Sequence, residues 1–553
     1  MKKLYLLLIL FWGITNTFYQ TLNTDNTKNR VIVRVPKTAT TNHLGEENIV
    51  TTTIEYSDGS GRTLQSIGYK MSPNKKDIIS SSTFDVFGRP EKNYLPYPST
   101  ASNGSYQSDI QTGANNAYGD AAPFSKIVYD ASGRPTTKFG VGLDWHNNNV
   151  KVSENIEIVT TTFEYYYTDE YVHANSIQKG SYAANVVTKK TTTGEDGKQV
   201  IEYVNKEGKL LRQEASGLIT QYAYDPLDRL VCIIVPRMYG TAAFNISDKT
   251  ELVFATDYDE QGRAIRSLSP GGGWTEVVYN RLGQAVMSRN ERHIDNYQWL
   301  VTKYDVLGRV IIKAVLFNDE TRTVWQTQFD NQTGNVYETR ENPTVEGYSN
   351  TTPPLLTSGA CKIVNYYDNY SWGLPTDFAC TVSNRQYLSD GNLKTLTGQL
   401  TGSKTRNLTT NDWLTSVVYY DDEGRIIQTH SVNRFGSINT TTNEYLYSGE
   451  LSKETVVYRK SGQNELTIIT RYEYDDAGRK IKAFHKVGAN QELEIANYEY
   501  DNVGRLSTKR IQPGTYNMSS GGGTNYQSNI TIIGSVSNNS SIATSEVLFF
   551  TQC

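Results

Sequence analysis

The sequence predicts an all-β protein built from repeated β-hairpins that follow one another in a long winding sheet. Three observations carry this reading. The hexapeptide Tyr/Phe-Asp-x-x-Gly-Arg occurs seven times in 553 residues, where chance would supply on the order of 0.01 copies. Tyr is abundant at 39 copies against 16 Phe and 7 Trp, and Gly at 43 far outnumbers Pro at 15. Polar and apolar residues also alternate with period two on both sides of the repeated turn, as around Tyr474, which is a hairpin signature.

The elements follow in chain order. Residues 1–20 read as a secretory signal peptide: Lys2 and Lys3, an apolar run from Leu4 to Ile14, then Thr15-Asn16-Thr17. The run is too short to cross a bilayer, which takes about 20 residues. No later stretch is long and apolar enough to span a membrane, so a secreted or cell-surface protein is expected. Residues 21–215 form an N-terminal β-rich domain with the first repeat copies at Phe84 (FDVFGR) and Tyr129 (YDASGR). Residues 216–511 are the repeat region proper, with copies at Tyr258, Tyr304, Tyr420, Tyr474 and Tyr500. Residues 512–553 are a tail rich in Gly, Ser, Asn and Thr. Decayed copies fill the intervals: YDPLDR at Tyr224, YNRLGQ at Tyr279, FDNQTGN at Phe329, and shifted forms at Tyr56 and Tyr203. Thr51–Thr53, Thr160–Thr162 and Thr191–Thr193 are expected in strands. The run Val310–Val315 is apolar on both faces and is expected to be covered twice. No helix longer than one or two turns is expected.

The hexapeptide has a physical reading. Asp suits the start of a type I turn because its carboxylate can bond the backbone ahead of it. Gly then takes the left-handed conformation that closes a three-residue loop with a bulge. Tyr ends the incoming strand and Arg opens the outgoing one, so the guanidinium can lie on that ring and also approach the carboxylate. The turn residues are Asp85, Gly88 and Arg89; Asp130, Gly133 and Arg134; Asp259, Gly262 and Arg263; Asp305, Gly308 and Arg309; Asp421, Gly424 and Arg425; Asp475, Gly478 and Arg479; and Asp501, Gly504 and Arg505.

The repeats resemble those of the RHS/YD-repeat proteins. The stretches Ser269–Val286, Trp299–Ile311 and Asn365–Trp372 look like the Bacteroidota branch of that family. The segments Ser60–Ser66, Asp85–Ser99 and Asn103–Asp109 are similar to the domain of unknown function that precedes the repeats there. The resemblance covers roughly residues 45 to 510. It implies a sheet wound into a hollow shell, which relatives close with an autoproteolytic core around a C-terminal toxin. No such core follows Tyr500 in this sequence.

Residue types exclude other chemistries. The formal net charge of −4 excludes a basic nucleic-acid footprint. The paired acids Asp421-Asp422 and Asp475-Asp476 lack the alternate spacing of a calcium loop, so no metal is expected. The six His residues form no short-spaced ligand pair. Neither a G-x-S-x-G elbow nor a P-loop occurs, because Gly194–Lys198 lacks the spacing and the following hydroxyl. No catalytic residue, cofactor or enzymatic activity is expected. In an exported chain Cys361 and Cys380 could pair as a disulfide, whereas Cys232 in Leu230–Ile234 reads as a buried small hydrophobe.

Two functions remain open. The first is a non-catalytic structural role as the N-terminal part of an encapsulating β-shell of the polymorphic-toxin type. Its partner would be a C-terminal shell or effector chain, or a second copy docking on the Tyr500 hairpin. The second is an adhesin-like module gripping carbohydrate or protein with exposed Tyr and Arg. A Tyr ladder pointing inward fits the first and one pointing outward fits the second, and the consecutive Tyr165, Tyr166 and Tyr167 place Tyr on both faces.

Overall fold

The computed structural model describes residues 28–38, 50–171, 174–382, 396–459 and 462–511. The signal segment and the whole tail, Cys553 included, lie outside the described residues. Thirty-three strands are linked through shared pairings into one sheet. From Asn29–Pro36 the order runs mainly from each strand to the next along the chain, ending at Leu506–Ile511. The ladders are antiparallel save one short parallel contact, where Tyr166 and Tyr167 lie beside Ala223 and Tyr224.

The hairpins closed by the hexapeptide carry the same irregularity. Tyr258 pairs with Ala264 while Asp257 pairs with Arg266, so Ile265 has no partner across the ladder. The same bulge leaves Val231, Val286, Ile311 and Ile427 unopposed. All five are buried. In these five the extra residue turns a side chain into the core, and a bulge also strengthens local twist. This explains the strand Val310–Phe317 differently from the sequence expectation. Ile312 and Ala314 are buried on one face and Lys313 is exposed on the other; Ile311 is buried because it is the bulge residue.

Apolar cores lie along the sheet rather than at one centre. One gathers Ile54, Tyr56, Ile67, Ile79 and Phe124 beneath α1 (Ile110–Tyr118). A second gathers Tyr166, Ile177, Val231, Cys232 and Ile234. The largest joins Trp299, Ile311, Ile312, Val364, Tyr366 and Ile427. From Leu451 onward only Ala483 and Ala496 are buried among the described residues, so the last strands are a single uncovered layer.

Helices interrupt this pattern. Besides α1 there are α2 (Leu143–Asn147), α3 (Glu291–Asp295) and α4 (Arg322–Asp330). α1 and α4, each nine residues long, correct the expectation of no helix beyond one or two turns, and α4 also absorbs Phe329 of the FDNQTGN segment. Thr321 caps it by accepting from the Val324 amide, and Trp325 and Phe329, four apart, bury one face. Hydrophobic spacing of 3.6 thus overrode a turn signal lacking the Asp–Arg clip. Thr51–Thr53 and Thr191–Thr193 are in strands, but Thr160–Thr162 lie in the link after Lys151–Ile158.

Candidate functional site

The feature that recurs along the whole chain is the turn. At the Tyr304 hairpin the Asp305 amide donates to the Arg309 carbonyl at 3.0 Å, and the Gly308 amide donates to the Asp305 carbonyl at 2.9 Å. Asp305 Oδ1 accepts from the amides of Leu307 and Arg309 at 3.0 and 2.9 Å, and Oδ2 accepts from Arg309 Nε at 2.7 Å. Asp85–Arg89, Asp130–Arg134, Asp259–Arg263, Asp421–Arg425, Asp475–Arg479 and Asp501–Arg505 repeat this clip. Across all seven the Nε–Oδ2 distance stays between 2.6 and 2.8 Å. The glycines at 88, 133, 262, 308, 424, 478 and 504 all have φ between 75° and 84°, a region closed to most side chains. Where the shift is resolved, as at Asp130, bonds from the Arg134 amide and guanidinium hold the carboxyl below its ordinary value.

The decayed copies show which parts can be exchanged. In YDPLDR, Asp228 takes the glycine's place at φ +67° and Arg229 still clips Asp225 at 2.6 Å. In YNRLGQ the ion pair becomes an amide pair, with Asn280 Nδ2 donating to Gln284 Oε1 at 2.7 Å. The same backbone closure occurs at Gly194–Lys198, Asn433–Ser437 and Leu446–Glu450, where the sequence carries no complete hexapeptide.

The tyrosines and arginines join consecutive hairpins. Tyr258 Oη donates to the carbonyl of Leu230, the residue after Arg229, at 2.9 Å. The hydroxyls of Tyr129, Tyr224, Tyr279, Tyr304, Tyr367, Tyr420, Tyr445, Tyr474 and Tyr500 make the equivalent bond to the preceding hairpin at 2.7 to 3.2 Å. The guanidinium lies on the ring of the following hairpin, not of its own. Arg89 covers Tyr129 at 4.4 Å, Arg263 covers Tyr279 at 4.8 Å and Arg479 covers Tyr500 at 5.2 Å. This corrects the expected stacking within one turn. The bulge sets the outgoing strand's direction, which carries Arg past its own Tyr. The same bond marks Tyr445 as the repeat tyrosine of its unit.

Two inserted segments strap onto the largest core. The segment after α4 is held by a buried ion pair: Lys303 Nζ donates to Glu338 Oε1 at 2.7 Å, to Asn350 Oδ1 at 3.1 Å and to the Thr352 carbonyl at 2.8 Å. Glu338 also accepts from the Ser349 hydroxyl at 2.6 Å and the Thr351 amide at 3.0 Å. Burial lowers Lys303 from its ordinary value. Burial alone would raise Glu338, but the Lys303 ammonium and the hydroxyls of Ser349 and Thr352 outweigh it and hold the carboxyl at about 2. The second insertion leaves the hairpin at Tyr367 and returns at Leu400. Its Trp372 stacks on Tyr366 at 4.3 Å, against Gly402, where a Cβ would sit 2.0 Å from the indole. Asp368, at its root, takes both guanidinium nitrogens of Arg309.

The thiols of Cys232, Cys361 and Cys380 are free, so the expected Cys361–Cys380 pairing does not form. Cys361 opens the buried strand Cys361–Tyr367 and its Sγ faces the Thr357 carbonyl at 3.5 Å, whereas Cys380 belongs to the second insertion. Burial raises both thiols, Cys361 to about 11. The bulge residues and the buried Lys303–Glu338 pair were missed in the sequence reading. An apolar residue two places after Arg229, Arg263, Arg309 and Arg425 was the available signal for the first.

These features define a class: a repetitive antiparallel sheet of β-hairpins in which each unit is stitched to its neighbour. Residues 29–158 match a family described as Domain of unknown function (DUF6443). No curated protein matches the chain. Among solved structures, the crystal structures of TcdB2-TccC3-TEV and of TcdB2-TccC3 are 14% and 15% identical. Each superposes with a TM-score of 0.40 over 84% of this chain. The Photorhabdus luminescens Tc holotoxin pore matches at 14% identity and a TM-score of 0.40. This chain covers 22% of the length of each.

Proposed function

We propose that the chain is an exported, non-catalytic structural protein, the N-terminal part of an encapsulating β-shell of the polymorphic-toxin type. The observation that supports this reading is where the motif's polar groups are spent. The Asp carboxylates close turns, the Arg guanidinia clip them and cover the next ring, and ten Tyr hydroxyls bond backbone carbonyls of the neighbouring hairpin. Side chains used this way build a wall and leave the repeat tyrosines little to offer a sugar or peptide. The family resemblance of the sequence points the same way.

The partner in this reading is a C-terminal shell or effector chain, or a second copy, received at the edge of Leu506–Ile511. That strand pairs with Leu493–Tyr500 and with no other strand among the described residues. An unpaired edge is a template for another strand.

Two measurements test the proposal. Electron microscopy of the purified mature protein should show a curved wall or hollow body, and a solid rod would reject the shell. Intact mass of protein from the native host should place the N-terminus near residues 16–21, and a product retaining Met1 would reject export.

A further inference from the structure

The N-terminal unit and the last two hairpins meet across 387 to 428 residues of sequence. Asn74 Nδ2 donates to Asn502 Oδ1 at 3.0 Å, and Arg479 Nη1 donates to the Met71 carbonyl at 3.0 Å. The Lys75 ammonium sits on the Asp476 carboxylate, and the Arg505 guanidinium lies over the Tyr118 ring at 5.6 Å. A cleft of about 440 Å³ runs between the two sides.

These contacts copy the repeat's own grammar. Elsewhere the turn Arg covers the Tyr ring of the next hairpin, and in the Arg229 and Arg263 turns its Nη1 donates to a carbonyl of the next turn, at 2.9 and 3.3 Å. At the end of the described sheet, Tyr118 of α1 supplies the ring for Arg505, and Met71 supplies a carbonyl for Arg479. The loop that carries Met71, Asn74 and Lys75 is held in shape independently of the seam. The buried Asp77 accepts from the Lys70 and Gly104 amides at 2.9 and 2.7 Å, and Ser72 Oγ accepts from the Lys76 amide at 2.7 Å.

No strand ladder crosses this seam among the described residues. The ion pair within it is half exposed, at 47% and 51% for the two side chains. Exposed pairs are individually weak and screened by salt. We infer that the segment matching the domain of unknown function is an intramolecular latch: it takes the place of a further hairpin, closes the winding of the sheet into a ring, and opens without any strand unfolding. This assigns the N-terminal segment a role that stands whether or not the ring encloses anything.

The test is a charge swap in the full chain. Hydrogen exchange would be followed at residues 69–77 and 500–505, with the strands Val253–Tyr258 and Val310–Phe317 as internal reference. Lys75→Glu and Asp476→Lys should each speed exchange at the seam by roughly threefold to tenfold and leave the reference strands unchanged. The double variant Lys75→Glu/Asp476→Lys should return to wild-type protection. Raising salt from 50 to 500 mM should open the wild-type seam in the same direction, and small-angle scattering should report a larger maximum dimension. Single variants without effect at the seam, a double variant that fails to restore protection, or equal loosening of the reference strands would each overturn the latch.

Discussion

Asp259→Asn is the sharpest perturbation of the clip, because the protein already contains its compensated form. In the wild-type turn Asp259 Oδ1 accepts from the Gln261 and Arg263 amides at 3.0 and 2.8 Å, and Oδ2 accepts from Arg263 Nε at 2.6 Å. An amide keeps the first oxygen without its charge and turns an NH2 toward Nε, donor against donor. Charge-assisted bonds contribute about 1.5–3 kcal/mol and neutral ones about 1. Weakening two and losing one therefore costs on the order of 2–4 kcal/mol. The side chains are 23% and 16% exposed, which places the expected cost near the lower figure, about 2 kcal/mol. Local opening of the strands Val253–Tyr258 and Ala264–Ser269 should then be faster by roughly thirtyfold in hydrogen exchange. Asp259→Asn/Arg263→Gln recreates the amide pair of Asn280 and Gln284. It gives up the Arg263 contacts with Tyr279 and the Asn280 carbonyl, worth about 1 kcal/mol, so the double variant should open only about fivefold faster. Faster exchange in the double variant than in Asp259→Asn would refute the clip as the source of turn stability.

Three further outcomes are expected. Gly308→Val, at φ +76° and with Gln284 Nε2 3.0 Å from the new Cβ, should cost about 1–3 kcal/mol. Leu307→Val, at an exposed neighbour, should cost far less, and equal loosening of the Tyr304 hairpin in hydrogen exchange would contradict the turn geometry. Gly402→Ala should displace the Trp372 indole and cost about 1–3 kcal/mol, read as loss of fluorescence shielding and of protection in Cys361–Tyr367. The Glu338 carboxyl, held at about 2 against an unfolded value near ~4.3, stabilises the fold fully above pH ~4.3. That contribution, on the order of 3 kcal/mol, is lost as pH falls toward 2. Glu338→Gln should remove this acid dependence while leaving Lys303 buried without its counter-charge and costing about 3–5 kcal/mol at neutral pH, followed by urea denaturation across pH 2–7.

The turns were legible because their chemistry is local: an Asp that bonds amides two and four residues on, a Gly at positive φ, and an Arg four residues from the Asp. The hairpin register followed, and with it the all-β class. What stayed hidden depends on residues far apart in sequence. Which ring Arg263 covers is decided by how the next hairpin lies across it, not by the hexapeptide. Lys303 and Glu338 carry no signal of their pairing, since the segment that joins them loops out of the repeat. Phe329 was misread because an aromatic before Asp looked like a turn, while its helical partner Trp325 supplied the decisive contact. Cys361 and Cys380 have a spacing that permits a bond, and only their placement in a strand and in an insertion shows that none forms.

The reach of the tyrosine bonds bears on the order in which the molecule assembles. Tyr258, Tyr279, Tyr304, Tyr474 and Tyr500 each bind a carbonyl only 15 to 28 residues earlier in the chain. Loop closure over such spans is entropically cheap, and low sequence separation speeds folding. A nascent polypeptide emerging from its N-terminus can therefore lay down one hairpin on the last without waiting for distant sequence. The contacts between Met71 and Arg479, or Asn74 and Asn502, span 408 and 428 residues and cannot form until synthesis has passed Arg479 and Asn502 respectively. Closure of the latch thus follows the laying down of the hairpins from Val253 to Tyr500, and a ribosome stalled before that point would leave an open ribbon whose free end is exposed to proteases and to neighbouring chains.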